Sequence, residues 1–152
     1  MAVDVGTVRV GVAATDPERR LAFPVETVPR GTGTLDRLAA IVEERRIVTV
    51  VVGLPLTLAG SEGPSAEDAR SVAEALAQRL EVPVRLIDER LSTSSAASAL
   101  REAGRDARRQ RAVIDQAAAV VILQTALDGW NNGILGSLAG PIPRKGRHDG
   151  SV

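Results

Sequence analysis

The sequence predicts an α/β fold: a mixed five-stranded sheet, built from a three-strand antiparallel meander plus parallel strands and flanked by helices. Two observations carry this. Three short apolar segments within the first 28 residues are separated only by tight turns, which makes a meander. After them, β-branched segments alternate with stretches of helical spacing, the pattern of parallel crossovers. A chain of 152 residues with 44% apolar side chains can bury one core, and a 25% charged fraction excludes membrane and fibrous classes.

Met1–Val5 is a short apolar strand interrupted by Asp4. Gly6-Thr7 turns the chain, and Arg9–Ala14 returns as the second strand. Thr15–Arg20 is a polar turn before Phe23–Val28, whose Pro24 suits an edge strand. Leu35, Leu38, Ala39 and Val42 recur at helical spacing, with Ile47 off the pattern, and the charged run Glu43–Arg46 ends that helix. Ile47–Leu54 is almost all β-branched, which suits a strand buried on both faces. A Gly/Pro/Ser-rich loop, Pro55–Pro64, precedes Ser65-x-x-Asp68, which reads as a helix start; Val72, Leu76 and Leu80 form that helix's stripe. Pro83–Ile87 is a strand that runs into Asp88-Glu89-Arg90. Ser92–Ala103 reads as a helix, Gly104–Arg111 as an arginine-rich loop and Ala112–Leu127 as a long apolar helix. Residues 131–152 carry five glycines and two prolines and are expected to form a flexible basic tail, leaving 1–130 as the domain. No internal repeat is present.

The inventory of side chains narrows the chemistry. Nineteen basic residues offset nineteen acidic ones, so any attraction to a polyanion must be local. The absence of cysteine excludes disulfides, thiolate metal sites and thiol nucleophiles, and the absence of tyrosine excludes tyrosyl nucleophiles. The single histidine, His148, stands four residues from the C-terminus, a poor place for a catalytic base. With one Phe and one Trp, aromatic platforms for stacking bases cannot be built. What remains is carboxylates, hydroxyls, arginines and bound metal. No targeting segment is visible, and the longest apolar run is the seven residues Ala117–Leu123. The expectation is a soluble cytoplasmic protein with no membrane partner.

Three acids stand where apolar residues belong. Asp4 interrupts a strand that should be central, so its carboxylate either meets something positive or caps the Gly6-Thr7 turn. Asp88 and Glu89 follow a strand and alternate, so at most one faces any given site, and spacing does not choose between them. Asp115 continues the apolar face of Ala118, Ala119, Ile122 and Ala126, and either binds metal or pairs with Arg111 one turn earlier. Acids from a first strand, a later strand end and a C-terminal helix can converge at one end of a sheet. Oxygen ligands without His or Cys select Mg²⁺ or Mn²⁺. Two such ions about 4 Å apart activate water and stabilise the leaving oxygen in phosphodiester hydrolysis.

Other motifs are weaker. Asp4-Val-Gly-Thr7 resembles the phosphate loop of actin-like ATPases, but that fold needs two lobes and roughly twice this length. Gly53–Pro64 lacks the P-loop pattern; it is either a plain loop or a backbone-lined wall beside a site, ahead of a helix N-terminus. Arg101, Arg105, Arg108, Arg109 and Arg111 stand against only Glu102 and Asp106, and Arg144, Lys145 and Arg147 follow in the tail. Such a run is either a solvated surface or a guide for a polyanion.

Four ordered motifs resemble a known family: Asp4-Val-Gly-Thr-x-Arg9-x-Gly-Val-Ala13, Val52-Gly-Leu-Pro-Leu56 with Gly60-Ser-Glu-Gly-Pro64, Asp88-Glu-Arg-Leu-Ser-Thr93, and Ile114-Asp-Gln-Ala-Ala-Ala119. Together they resemble the YqgF family, also called RuvX, of bacterial Holliday-junction-resolvase-like proteins, over residues 1–130. The resemblance implies an RNase H-like fold and a nuclease that matures the precursor of 16S ribosomal RNA. It implies Asp4, Glu89 and Asp115 as the metal-binding acids, and so selects Glu89 over Asp88. Val8 stands where the family often carries lysine, and Leu58 where it often carries methionine.

The reading that follows is a metal-dependent endonuclease on structured RNA. Asp4, Glu89 and Asp115 hold Mg²⁺ or Mn²⁺, while Arg9, Arg90, Arg105, Arg108, Arg109 and Arg111 meet phosphate. Two alternatives stand beside it: a resolvase of branched DNA, whose symmetric substrate needs a homodimer, and a non-catalytic RNA-binding assembly factor. The oligomeric state, monomer or homodimer, is open.

Overall fold

The computed structural model describes residues 1–18, 20–89, 107–131 and 141–143, with side chains of the last helix over 116–129. Its strands are β1 (Ala2–Val5), β2 (Arg9–Thr15), β3 (Ala22–Pro29), β4 (Val50–Leu54) and β5 (Val84–Asp88). They form one sheet in the order β3-β2-β1-β4-β5. β1 pairs antiparallel with β2, and β2 with β3; β1, β4 and β5 run parallel. This is the expected meander plus parallel strands. Pro24 sits on edge strand β3, where the register slips between Val12 and Ala13.

Alternation along each strand divides the core in two. Val3, Val10, Val12, Val50, Val52, Val84 and Leu86 face helices α1 (Thr34–Glu44) and α2 (Pro64–Arg79). Ala2, Ala13, Val51 and Ile87 face α3 (Ala107–Asn131), which packs Ala119, Ile122, Leu123, Ala126 and Leu127 onto them. Small residues on the sheet beneath α3 let the helix lie close to it. The α2 stripe of Val72, Leu76 and Leu80 is buried as its spacing predicts.

Several boundaries differ from the sequence reading, each for a local reason. α1 closes through Arg46, which adopts a left-handed φ of 53°. There the Arg46 N–H donates to Glu43 O at 3.3 Å and the Ile47 N–H to Val42 O at 2.9 Å, a helix stop normally built on glycine. Ile47 is thereby held at the helix end, and β4 begins only at Val50. α2 starts at Pro64, whose missing N–H is harmless in a first turn, and no side chain caps it. Asp68 is therefore not a capping residue; Arg30 holds it instead. Residues 107–111, expected within a loop, form the first turns of α3, consistent with the high helix propensity of Ala and Arg. The helix expected over Ser92–Ala103 lies outside the described residues. Beyond α3, Ile142 packs against the α1/α2 core and its N–H donates to Val84 O at 2.9 Å. Among the described residues, no helix is long and apolar enough to cross a membrane.

The Arg46 conformation generates a stability prediction. A left-handed non-glycine residue costs roughly 1–2 kcal/mol, and glycine costs about 0.4–1 kcal/mol through the unfolded chain. Arg46→Gly should therefore gain about 0.5–1 kcal/mol, seen as a higher urea midpoint with unchanged slope. A lower midpoint would show that the Arg46 side chain stabilises the fold by more than its backbone costs.

Candidate active site

The site is set by register. Thr27 on β3 pairs with Gly11 on β2, and Gly11 with Asp4 on β1. The parallel pairs Ala2↔Val51 and Val3↔Val52 then carry on to bring Gly53 beside Asp4. Because Ala2 and Val51 face α3, so do Asp4 and Gly53, two residues further along. Asp4, half-buried, thus stands in a row with a glycine on each side, at the carboxyl ends of the parallel strands. In open α/β sheets that is where ligands bind.

Glu89 reaches the same row. It follows β5 two residues after Ile87, so it shares the α3 face, and it is half-buried. Its side chain lies directly over Gly53. A Cβ built on Gly53 would meet Glu89 Oε1 at 2.5 Å, Glu89 Cγ at 3.0 Å and Ile122 Cδ1 at 2.6 Å. No side chain fits at position 53 while Glu89 and Ile122 stay in place. Asp88 alternates to the opposite face with Val84 and Leu86. The ambiguity that spacing leaves between the two acids is thus resolved in geometry: Glu89 shares a face with Asp4.

The remaining predicted residues fall as follows. Arg9 opens β2 on the α3 face, two residues from Gly11. Position 115 lies in α3 one turn before Ala119, in phase with buried Ala119, Ile122 and Ala126. The Asp115 side chain is outside the described set, as are those of Arg108, Arg109 and Arg111, whose backbone is helical. Arg90 and Arg105 lie outside the described residues. Among the described residues, no group of three metal-ligating side chains comes together.

Sequence reasoning missed the supports. Gln116 Nε2 donates to Thr27 Oγ1 at 2.9 Å, tying α3 to the outer end of the Thr27–Gly11–Asp4–Gly53 row. A polar residue beside Asp115 within an apolar stripe was the available signal. Gly6 makes the tight β1–β2 turn: its N–H donates to Arg9 O at 2.9 Å, and a Cβ there would sit 2.7 Å from that oxygen. Arg30 Nη1 donates to Gly6 O and to Asp68 Oδ2, both at 2.8 Å, while Nη2 donates to Asp68 Oδ1 at 3.1 Å. One guanidinium thus locks the turn after Asp4 to the first turns of α2. No sequence pattern announces it. The Arg30 hydrogen bonds hold the Asp68 carboxyl below its ordinary 3.8, against a smaller opposing cost of burial.

This sheet order, with helices on both faces, is that of an RNase H-like α/β fold, and the comparisons agree. The chain superposes on Thermus thermophilus RuvC, solved in complex with a Holliday junction substrate, with a TM-score of 0.57 at 17% identity, covering 92% of this chain and 96% of that one. A model of the family described as "RuvX: Holliday junction resolvase" matches residues 1–129, and the chain belongs to that family. A protein of Mycobacterium leprae named "Putative pre-16S rRNA nuclease" is 60% identical over 131 residues, which are 84% of this chain and 71% of the relative. One of the same name from Thermobifida fusca is 53% identical over 136 residues, covering 84% of this chain and 86% of the relative.

Two outcomes test the geometry. Gly53→Ala forces Glu89 or Ile122 aside and should destabilise the fold by about 1–3 kcal/mol in denaturant unfolding; an unchanged midpoint would mean that the contact is slack. Because the folded Asp68 pKa is depressed, its contribution to stability is complete above 3.8 and is lost as pH falls below that value. The stability gap between the wild type and Arg30→Gln should therefore be constant near neutrality and shrink in acid. A gap that widens in acid would contradict the assignment.

Proposed function

We propose that this chain is a divalent-metal-dependent nuclease that hydrolyses phosphodiester bonds in the precursor of 16S ribosomal RNA, with Asp4, Glu89 and Asp115 as its metal-binding acids. The observation that carries the reading is the approach of Asp4 and Glu89 on one sheet face, across a glycine with no room for a side chain. The position of residue 115 in the helix over that face supports it, as does the name shared by the relatives at 53–60% identity.

The donor set fits a hard cation. The chain has no cysteine and one histidine near its C-terminus, so oxygen is what it offers, and oxygen sites suit Mg²⁺ or Mn²⁺. When bound, such an ion polarises a phosphoryl oxygen and lowers the pKa of water. The protein's own groups do the rest. Asp4 and Glu89 supply negative charge at a fixed spot, because the bare Cα of Gly53 lets the Glu89 side chain lie on the strand next to Asp4. Arg9, on the same face, offers a guanidinium to phosphate oxygens, and we assign the arginines at 90, 105, 108, 109 and 111 to further phosphate contacts on their charge and their place in the sequence. Arg30 and Gln116 keep the turn and helix from shifting relative to the acids.

A second substrate is favoured by a specific observation: the family description names Holliday junction resolvase, and the superposed RuvC is held on such a junction. Symmetric cleavage of that substrate needs two copies of the site, hence a dimer.

The test is cleavage of a precursor transcript with Mg²⁺ or Mn²⁺, run beside a four-way DNA junction. The wild type should cut the transcript, and Asp4→Asn should lose more than about a hundredfold in rate. Equal rates would overturn the metal assignment. Cutting confined to the junction by a dimeric species would transfer the substrate to branched DNA.

A further inference from the structure

Among the described residues, four large apolar side chains stand exposed, and two of them flank the site. Leu58 is 98% exposed and Val8 is 66% exposed. Val8 lies in the β1–β2 turn and Leu58 in the loop that leaves β4. Since β1 and β4 are parallel neighbours, both loops emerge at the carboxyl end that bears Asp4. A single exposed apolar residue is ordinary. These two are held out on braced supports.

The Leu58 loop is a small hairpin. Leu56 bridges to Glu62, the Thr57 N–H donates to Ser61 O at 2.9 Å, and the Gly60 N–H donates to Thr57 O at 2.8 Å with Gly60 at φ 86°. The Thr57 and Ser61 hydroxyls share a further bond of 2.7 Å. Arg70 on α2 clamps the base of the hairpin through Glu62, at 2.9 and 2.7 Å. The Val8 turn is clamped two residues earlier on the same helix, through Arg30 and Asp68. Two ion pairs on one helix thus fix two apolar tips at the rim of the site. An ordered hairpin that spends its hydrogen bonds holding a leucine in water presents that leucine to something.

We propose that Leu58, with Val8 on the neighbouring loop, is a wedge that packs against bases left unstacked at an interruption of a nucleic acid duplex, such as a branch or bulge, and thereby selects interrupted over continuous helices. The proposal rests on the nuclease reading above. Apolar side chains inserted at base steps are an established way to hold a duplex open, and they need no base-reading hydrogen bonds. The role suits a chain with one Phe and one Trp, which has few aromatic rings to offer bases. It makes Leu58 and Val8 positioning residues: they place the strand, and the acids act on it.

The experiment measures binding without divalent ion to two substrates, a bulged RNA duplex and a four-way DNA junction, each with a continuous control of the same sequence. 2-Aminopurine replaces the base beside the interruption and brightens when it is unstacked. For whichever substrate it prefers, the wild type should favour the interrupted form by tenfold or more and raise the fluorescence. Val8→Ser/Leu58→Ser should lose roughly tenfold on the interrupted form and leave the continuous one unchanged, with the fluorescence rise abolished. Leu58→Met, which keeps an apolar tip, should behave as the wild type. If the double variant retains both preference and brightening, or if the wild type shows no preference, the wedge is refuted while the nuclease reading stands. If the wild type binds none of the four nucleic acids, both fall together.

Discussion

The missing side chain at position 53 is the constraint on which the rest of the site depends. Gly53 lies between the strand that carries Asp4 and the strand that leads to Glu89, and its bare Cα is where the Glu89 carboxylate and Ile122 come to rest. Any larger residue there would push the acid off the sheet or the helix away from it. The packing of α3, the burial of Glu89 and the separation of the two acids are therefore one geometric fact. The small residues Ala2 and Ala13 serve the same end on neighbouring strands, letting the helix settle over the row rather than above it.

A sheet alone does not keep an acidic site in register. The turn after Asp4 is short and glycine-dependent, and it would be free to hinge without Arg30, whose guanidinium spans from Gly6 O to the Asp68 carboxylate. Ion pairs of this exposure contribute modestly to global stability. Their value here is local: each joins a loop at the site to the rigid N-terminal turns of α2, and both reach that helix within three residues of each other, at Asp68 and Arg70. The loops that border the row thus take their conformations from a helix.

Much of this was legible in the sequence. The meander followed by alternating strands and helices was readable from spacing alone, because parallel strands buried on both faces are written as unbroken β-branched runs such as Val50-Val51-Val52. Asp4 and Asp115 were conspicuous because each breaks an apolar pattern. The choice between Asp88 and Glu89 was not available from spacing, since it depends on which face of the sheet the last helix covers. The family resemblance supplied it, and the sheet geometry places Glu89 over Gly53 independently. Arg30 gave no signal at all: a long side chain reaching a helix 38 residues away leaves no periodic trace. Ser65-x-x-Asp68 marked the start of the second helix to within one residue, but not as a capping pair: the helix begins at Pro64 with no side-chain cap, and the Asp68 carboxylate is held by Arg30.

The central claim is that Asp4 and Glu89 share a divalent cation across Gly53. A crystal of the wild-type protein grown with Mn²⁺ tests it most directly, because the anomalous signal of manganese locates the ion without reference to any expectation. The account predicts a peak in contact with carboxylate oxygens of both Asp4 and Glu89, on the sheet face beneath the last helix. A peak bound elsewhere, or one that touches Asp88 in place of Glu89, would contradict it.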